Sequence, residues 1–281
     1  MSVGLVLEGG AMRGMYTVGV LDMFLEQQIK VDGIIGVSAG VLFGVNYVSN
    51  QKGRTIRYNK KYAKDQRYMG MKSFLLTGNI INKDFAYYEL PNKLDIFDEQ
   101  TFEQKYIDFW ATVTNVETGK AEYIKLEKPV EQIELLRATS AMPLVSKMVD
   151  WNHQKYLDGG ISDSIPIEKC KQLGYDKIIV VLTRTKDYRK AKQNMSLAKI
   201  KYKEYPNLIK AMETRCQNYN QTLEKIAQME DNKEIFVIRP SKDLKLKRIE
   251  KDTEKLQEMY DLGISDTKTC LEKLKQYIAM K

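Results

Sequence analysis

The stretch Gly33-Ile34-Ile35-Gly36-Val37-Ser38-Ala39-Gly40 is an apolar strand that runs directly into a glycine-flanked serine. Five residues without a polar interruption read as a strand buried on both faces. Ala39 to Val48 then continues at helical spacing, with Val41, Leu42 and Val45 inward. The same order stands upstream. Val3–Leu7 is a buried strand, Glu8-Gly9-Gly10-Ala11-Met12-Arg13-Gly14 is a glycine-rich turn, and Met15 to Gln28 is a helix. Two strand–turn–helix units in succession imply parallel strands joined by helical crossovers, the signature of an α/β fold.

Outward from this core the pattern persists. Phe109 to Thr114 is a strand, Asn115 to Lys120 a turn and Ala121 to Leu126 a second strand. Pro129 opens a helix that ends before Pro143. Lys147 to Leu157 is a hairpin turning at Asn152-His153, followed by Asp158-Gly159-Gly160. Ile167 to Leu173 is a helix and Lys177 to Leu182 a buried strand. Residues 51–100 lack a clear period and read as irregular helices over the sheet, with 66–76 a candidate lid or channel wall. Beyond Thr183 only Glu234 to Ile238 reads as a strand, while 203–229 and 252–278 read as long helices.

Composition narrows the function classes. The chain has 281 residues, of which 43% are hydrophobic and 29% charged, so a folded core is expected and intrinsic disorder is not. No apolar run is long enough to span a bilayer. Met1-Ser2 leads straight into Val3 with no basic segment, so no signal peptide is expected, and three dispersed cysteines fit a reducing cytoplasm. One histidine excludes a histidine-rich metal site. Basic and acidic residues balance over residues 1–180, so the whole net charge of +8 lies in the last third. That asymmetry divides the chain into residues 1–183 and a basic, mainly helical region, 184–281.

Three segments carry chemistry. Gly36-Val37-Ser38-Ala39-Gly40 is a G-x-S-x-G between strand and helix, the setting of a nucleophile elbow. Small neighbours allow a tight turn that lifts the hydroxyl clear of the sheet, and the helix start behind it favours developing negative charge. A serine N-cap between two packing glycines would use the same residues. The turn Gly9–Gly14 can aim several backbone N–H groups at an oxyanion. Its spacing fits neither a dinucleotide fingerprint nor a phosphate loop with its lysine. Asp158, at a strand end before Gly159 and Gly160, can accept a serine proton, and partial burial would raise its pKa toward that task. An ordinary Asp-Gly turn is the alternative. Asp163 and Asp32 are lesser candidates for the base, and His153 reads as a surface-turn residue.

Taken in order, these segments resemble the patatin-like phospholipase family, as found in bacterial proteins of modest size. That family combines a glycine-rich oxyanion loop, a G-x-S-x-G serine and a D-G-G or D-G-A aspartate. Ala111-Thr112-Val113-Thr114-Asn115-Val116-Glu117-Thr118-Gly119 and Arg137-Ala138-Thr139-Ser140-Ala141-Met142-Pro143 add weaker likenesses, and the resemblance covers about residues 3–182. It implies a three-layer α/β sandwich with a mostly parallel sheet, and acyl-ester hydrolysis by a Ser–Asp dyad without histidine, metal or cofactor. Ser38 would be the nucleophile, Asp158 the base, and the N–H groups of Gly9, Gly10 and Ala11 the oxyanion hole, with Arg13, Gly14, Gly36, Gly40, Gly159 and Gly160 completing the motifs. Ala11 stands where the family usually has glycine. An alanine there is relaxed at negative φ and strained at positive φ.

Several readings remain open at this stage. Phospholipids, soluble carboxylic esters and thioesters are all candidate substrates. A non-catalytic interaction protein acting through the basic region is a further alternative. Lys242, Lys245, Lys247, Arg248 and Lys251 suggest peripheral contact with an anionic membrane. No nucleic-acid motif accompanies them.

Overall fold

The computed structural model describes residues 1–280. In chain order the elements are β1 (Val3–Leu7), α1 (Met15–Glu26), β2 (Gly33–Val37), α2 (Ala39–Val48), α3 (Arg54–Tyr62), α4 (Met71–Thr77), α5 (Glu99–Gln104), β3 (Asp108–Asn115), β4 (Ala121–Lys125), α6 (Ile133–Thr139), β5 (Val149–Trp151), β6 (Gln154–Asp158), α7 (Ile167–Gln172), β7 (Lys177–Val181), α8 (Ser196–Lys201), α9 (Pro206–Asp231), β8 (Phe236–Ile238) and α10 (Thr253–Ala279). A wide-turned helical segment, Asp84–Leu94, lies between α4 and α5, and it tolerates Pro91 inside it.

The strands form one sheet in the order β5-β6-β3-β2-β1-β7-β8, with β4 also on β3. β1 is central, with Leu5 opposite Ile34 of β2 on one side and Ile179 of β7 on the other, both parallel. β3 and β8 extend the parallel part, while β4, β5 and β6 are antiparallel at the β3 margin. Alternation along the strands builds two cores. Leu5, Leu7, Ile34, Phe109 and Val181 face a layer that contains α1, α2 and α10. Val6, Ile35, Ile178 and Val180 face α7 and α9. The result is a three-layer α/β sandwich. Each fully buried leucine or isoleucine contributes about 1.5–3 kcal/mol through its removal from water.

Residues after 183 share these cores. β8 continues the sheet beyond β7, with Val237 opposite Val180. α1 is covered all round, with every residue from Met15 to Phe24 buried, Thr17 and Asp22 included, because the sheet covers one side and α10 the other. The two helices cross at Gly19 and Gly263. A Cβ on Gly263 would lie 2.2 Å from the Tyr16 carbonyl oxygen, and one on Gly19 would lie 2.1 Å from that of Tyr260. Gly263→Ala is therefore expected to force the helices apart at a cost of about 2–3 kcal/mol. Calorimetry should show Tm falling by roughly 5–10 °C; an unchanged Tm would refute so close a crossing.

Candidate active site

The site follows from how three strands share one edge. β2 pairs with β3 up to Val37 opposite Thr112, and β6 pairs with β3 from Asn115 down to Val113 opposite Asp158. β4 occupies the other edge of β3 over Trp110 to Thr114, so β2 and β6 must lie on the same edge, end to end. Ser38 is the first residue beyond β2, and Asp158 is the last of β6. Residues 120 apart in sequence thus meet where two opposed strand ends abut.

Local hydrogen bonds hold both in place. The Thr139 hydroxyl accepts from the Ser38 N–H at 3.0 Å and donates to the Thr112 carbonyl at 2.7 Å. The Ala141 carbonyl accepts from the Asp158 N–H at 2.9 Å, and the Thr114 hydroxyl donates to the Asp158 carbonyl at 2.9 Å. The segment Thr139–Ala141 therefore ties down the serine and the aspartate together, which gives that stretch a physical role. Gly159 passes against β3 so closely that a Cβ would lie 2.2 Å from the Thr112 carbonyl oxygen.

Ser38 has φ 54° and ψ −120°, a conformation that disfavours any side chain with a Cβ. Gly36 closes the strand side of this turn and Gly40 lies in the first turn of α2. Asp158 is buried, and one carboxylate oxygen accepts from the Gly160 N–H at 2.8 Å. Burial pushes its pKa above the ordinary carboxylate value. The Arg215 charge, the Gly160 N–H, the Ser38 hydroxyl and Arg248 act in the opposite direction without overcoming it.

The glycine-rich turn faces this pair. Among the described residues, no protein acceptor takes the N–H of Gly9, Gly10 or Ala11. The turn is pinned on both sides, by Glu8 N–H to the Val181 carbonyl and by Met12 N–H to the Arg248 carbonyl. The Glu8 carboxylate is itself buried and accepts from Tyr219 at 2.6 Å and from the Thr183 hydroxyl at 3.0 Å. Ala11 has φ 50°. It therefore carries the left-handed strain that a glycine would avoid, about 1–2 kcal/mol. Gly14 ends the short 3₁₀ turn that leads into α1.

Ser38, Asp158, Gly9, Gly10, Ala11, Arg13 and Gly160 all line one cavity of about 440 Å³. The lesser sequence candidates lie elsewhere. Asp32 accepts from the Val3 N–H, Asp163 accepts from Tyr123, and His153 sits at the β5–β6 hairpin tip. Of the candidate lid, Tyr68 and Met69 are packed in the core. Met71, Leu75 and Leu76 on α4 are exposed, and Ile80 beyond them reaches the cavity wall. Leu144 was not apparent from sequence. It lines the cavity at φ 72°, with its N–H donating to the Tyr202 hydroxyl at 2.8 Å. Arg184, Lys190, Arg215 and Arg248 were not apparent as cavity residues either, because they are scattered along the chain without a local motif.

Fold and site define a class: an α/β protein with a strained serine at a strand–helix turn, a buried carboxylate beside it and unclaimed backbone donors opposite. The patatin-like phospholipase family model matches residues 5–170, and the chain belongs to that family. A second model, a domain of unknown function (DUF6363), matches residues 205–279. YjjU of Escherichia coli K12 is 29% identical over 195 residues, which cover 64% of this chain and 52% of YjjU. Lysophospholipase nte1 of Aspergillus niger is 27% identical over 185 residues, 64% of this chain and 12% of that protein. The chain thus matches about half the length of the first relative and a small part of the second. The crystal structure of VipD from Legionella pneumophila superposes with a TM-score of 0.43 at 14% identity, covering 95% of this chain and 67% of that one.

Proposed function

We propose that the chain is a serine acyl hydrolase that cleaves lipid carboxylic esters through a Ser38–Asp158 dyad. The observation that carries this reading is the meeting of β2 and β6 over Thr112 and Val113, which sets a strained serine against a buried carboxylate in one cavity. Asp158 takes the Ser38 hydroxyl proton as Oγ attacks the ester carbonyl carbon. The N–H groups of Gly9, Gly10 and Ala11 receive the charge that develops on the carbonyl oxygen. The C–O bond to the alcohol breaks, and Asp158 returns its proton to that oxygen. Water then attacks the acyl-enzyme by the same route and releases the acid. Residues 1–183 supply this chemistry, and 184–281 complete the cavity wall.

Lipid substrates require access to an interface. Among the described residues, no helix is long and apolar enough to cross a membrane. α4 exposes Leu75 and Leu76 beside Lys72, and α8 exposes Leu197 and Ile200 beside Lys199 and Lys201; Ile80 beyond α4 and Ala198 on α8 line the cavity. Exposed apolar side chains interleaved with lysines suit peripheral contact with an anionic bilayer, as do the basic residues of 242–251, from which Arg248 and Ile249 reach the cavity.

The test is intact-mass analysis after incubation with a short-chain fluorophosphonate. Wild type should gain one adduct and Ser38→Ala none. An adduct on both proteins, or on neither, would overturn the assignment of Ser38.

A further inference from the structure

The cavity beyond Ser38 is lined by two unlike sets of side chains. One is apolar, with Met142, Leu144, Val145, Met195 and Ile249. The other is five cations, Arg13, Arg184, Lys190, Arg215 and Arg248, with the two carboxylates Glu8 and Asp158. Among the described residues none of the five forms a salt bridge, and the Nε atoms of Arg13 and Arg215 are buried without any hydrogen-bond partner. Aromatic faces position two of them without neutralising them: Arg184 lies 4.2 Å from the Tyr188 ring centroid and Lys190 4.1 Å from that of Tyr219.

Arg13, Arg184, Lys190 and Arg215 are partly buried and Arg248 is exposed; partly buried cations without salt-bridge partners are unfavourable, and a fold that needed only packing would place apolar residues there. The two carboxylates offset this charge only in part. Glu8 acts on Arg13 and Lys190 and Asp158 acts on Arg215, and two carboxylates against five cations leave a net charge of +3 when both are ionised. Burial and mutual repulsion push Lys190 down to about 8 and lower Arg13 and Arg215. Four of the five cations come from residues after 183, outside the segment matched by the patatin-like model.

We propose that this set of cations is a phosphate-binding subsite, contributed mainly by the C-terminal region, which selects amphiphiles whose phosphate head group is net negative. The acyl or alkyl chain lies against the apolar side chains of the cavity. The phosphate takes the free guanidinium and ammonium donors, with arginine suited to bidentate contact. A phosphocholine head group brings its own cation toward these positive charges and is disfavoured. As a statement about substrate, the inference rests on the Ser38 reading; as a statement about binding, it does not.

Two arms keep those apart. In the first, calorimetry on the full chain compares dodecyl phosphate, dodecylphosphocholine and inorganic phosphate below micellar concentration. Dodecyl phosphate should bind at least ~10-fold more tightly than either, equivalent to about 1.4 kcal/mol. Lys190→Gln, a partly exposed loop change, and Arg215→Gln should each cut its advantage over dodecylphosphocholine to below about 3-fold, with folding checked by circular dichroism. Equal binding of the two amphiphiles would overturn the proposal. So would a preference that survives both substitutions, or inorganic phosphate binding as tightly as its dodecyl ester. In the second arm, kcat/KM for monoacylglycerol phosphate should exceed that for monoacylglycerophosphocholine by ~10-fold or more, and Lys190→Gln should erase the ratio through KM rather than kcat. Turnover without that ratio would overturn the proposal. No turnover on either lipid would instead count against the hydrolase reading and leave the binding arm to decide the subsite.

Discussion

Ser38→Gly is expected to lose ester hydrolysis by about 10,000-fold or more and to unfold at a higher temperature than Ser38→Ala. Both substitutions remove the attacking oxygen, and loss of a nucleophile alone is known to cost as much as loss of a whole triad. They differ in the backbone. At φ 54° and ψ −120° a Cβ is strained by about 1–3 kcal/mol. Glycine relieves that strain and loses about 0.5–1 kcal/mol through the greater freedom of its unfolded chain. The balance leaves Ser38→Gly ahead of Ser38→Ala by roughly 0.5–2 kcal/mol, with each kcal/mol shifting Tm by about 2–4 °C in a chain of this size. Scanning calorimetry on the two variants and wild type measures it. Residual activity near wild type would remove Ser38 from the chemistry. An Ala variant as stable as the Gly variant would show that the turn stores no strain.

The parts of this molecule legible in sequence are those fixed by neighbours in the chain. β1, α1, β2 and α2 follow from apolar runs punctuated by glycine, and the β5–β6 hairpin turns at Asn152 and His153, both at positive φ. Pro129 misplaced a boundary. α6 begins at Ile133, because the Gln132 side chain accepts from the N–H groups of Glu127 and Lys128 and closes a turn first. Asp84–Leu94 escaped because its wide turns and internal Pro91 leave no 3.6-residue period. Ser38 and Asp158 stood out by motif, but their meeting depends on β6 sharing an edge of β3 with β2, a long-range pairing that no local pattern encodes. The cations are the plainest case. Lysine and arginine after 183 read as a basic region, with Arg248 in a stretch that suggested membrane contact, and only the path of α9 and of the chain before α10 brings Arg215 and Arg248 to the cavity of the serine.

Asp158→Asn should reduce kcat/KM by at least about 100-fold while making the protein more stable at neutral pH. The rate effect follows from removing the proton acceptor and leaving its shape. The stability effect follows from the direction of the pKa shift. Burial raises the Asp158 pKa in the folded chain above its unfolded value, so the ionised carboxylate opposes folding at every pH above the raised value. Asparagine keeps an acceptor for the Gly160 N–H and removes the buried charge. The Tm advantage of the variant should therefore be greatest near pH 7 and shrink as pH falls through the raised pKa, where wild type takes up its proton. Wild-type kcat/KM should fall over that same interval, above the ordinary carboxylate range, because only the ionised form accepts the serine proton. Parallel pH series of Tm and of kcat/KM test both halves. A variant less stable than wild type at pH 7 would mean that the charge of Arg215, left without its neighbour, outweighs the desolvation of Asp158. An acid limb at the ordinary carboxylate value would mean that the carboxylate is not desolvated as the cavity places it. If both limbs move together, one buried charge accounts for the catalytic base and for part of the instability of the site that holds it.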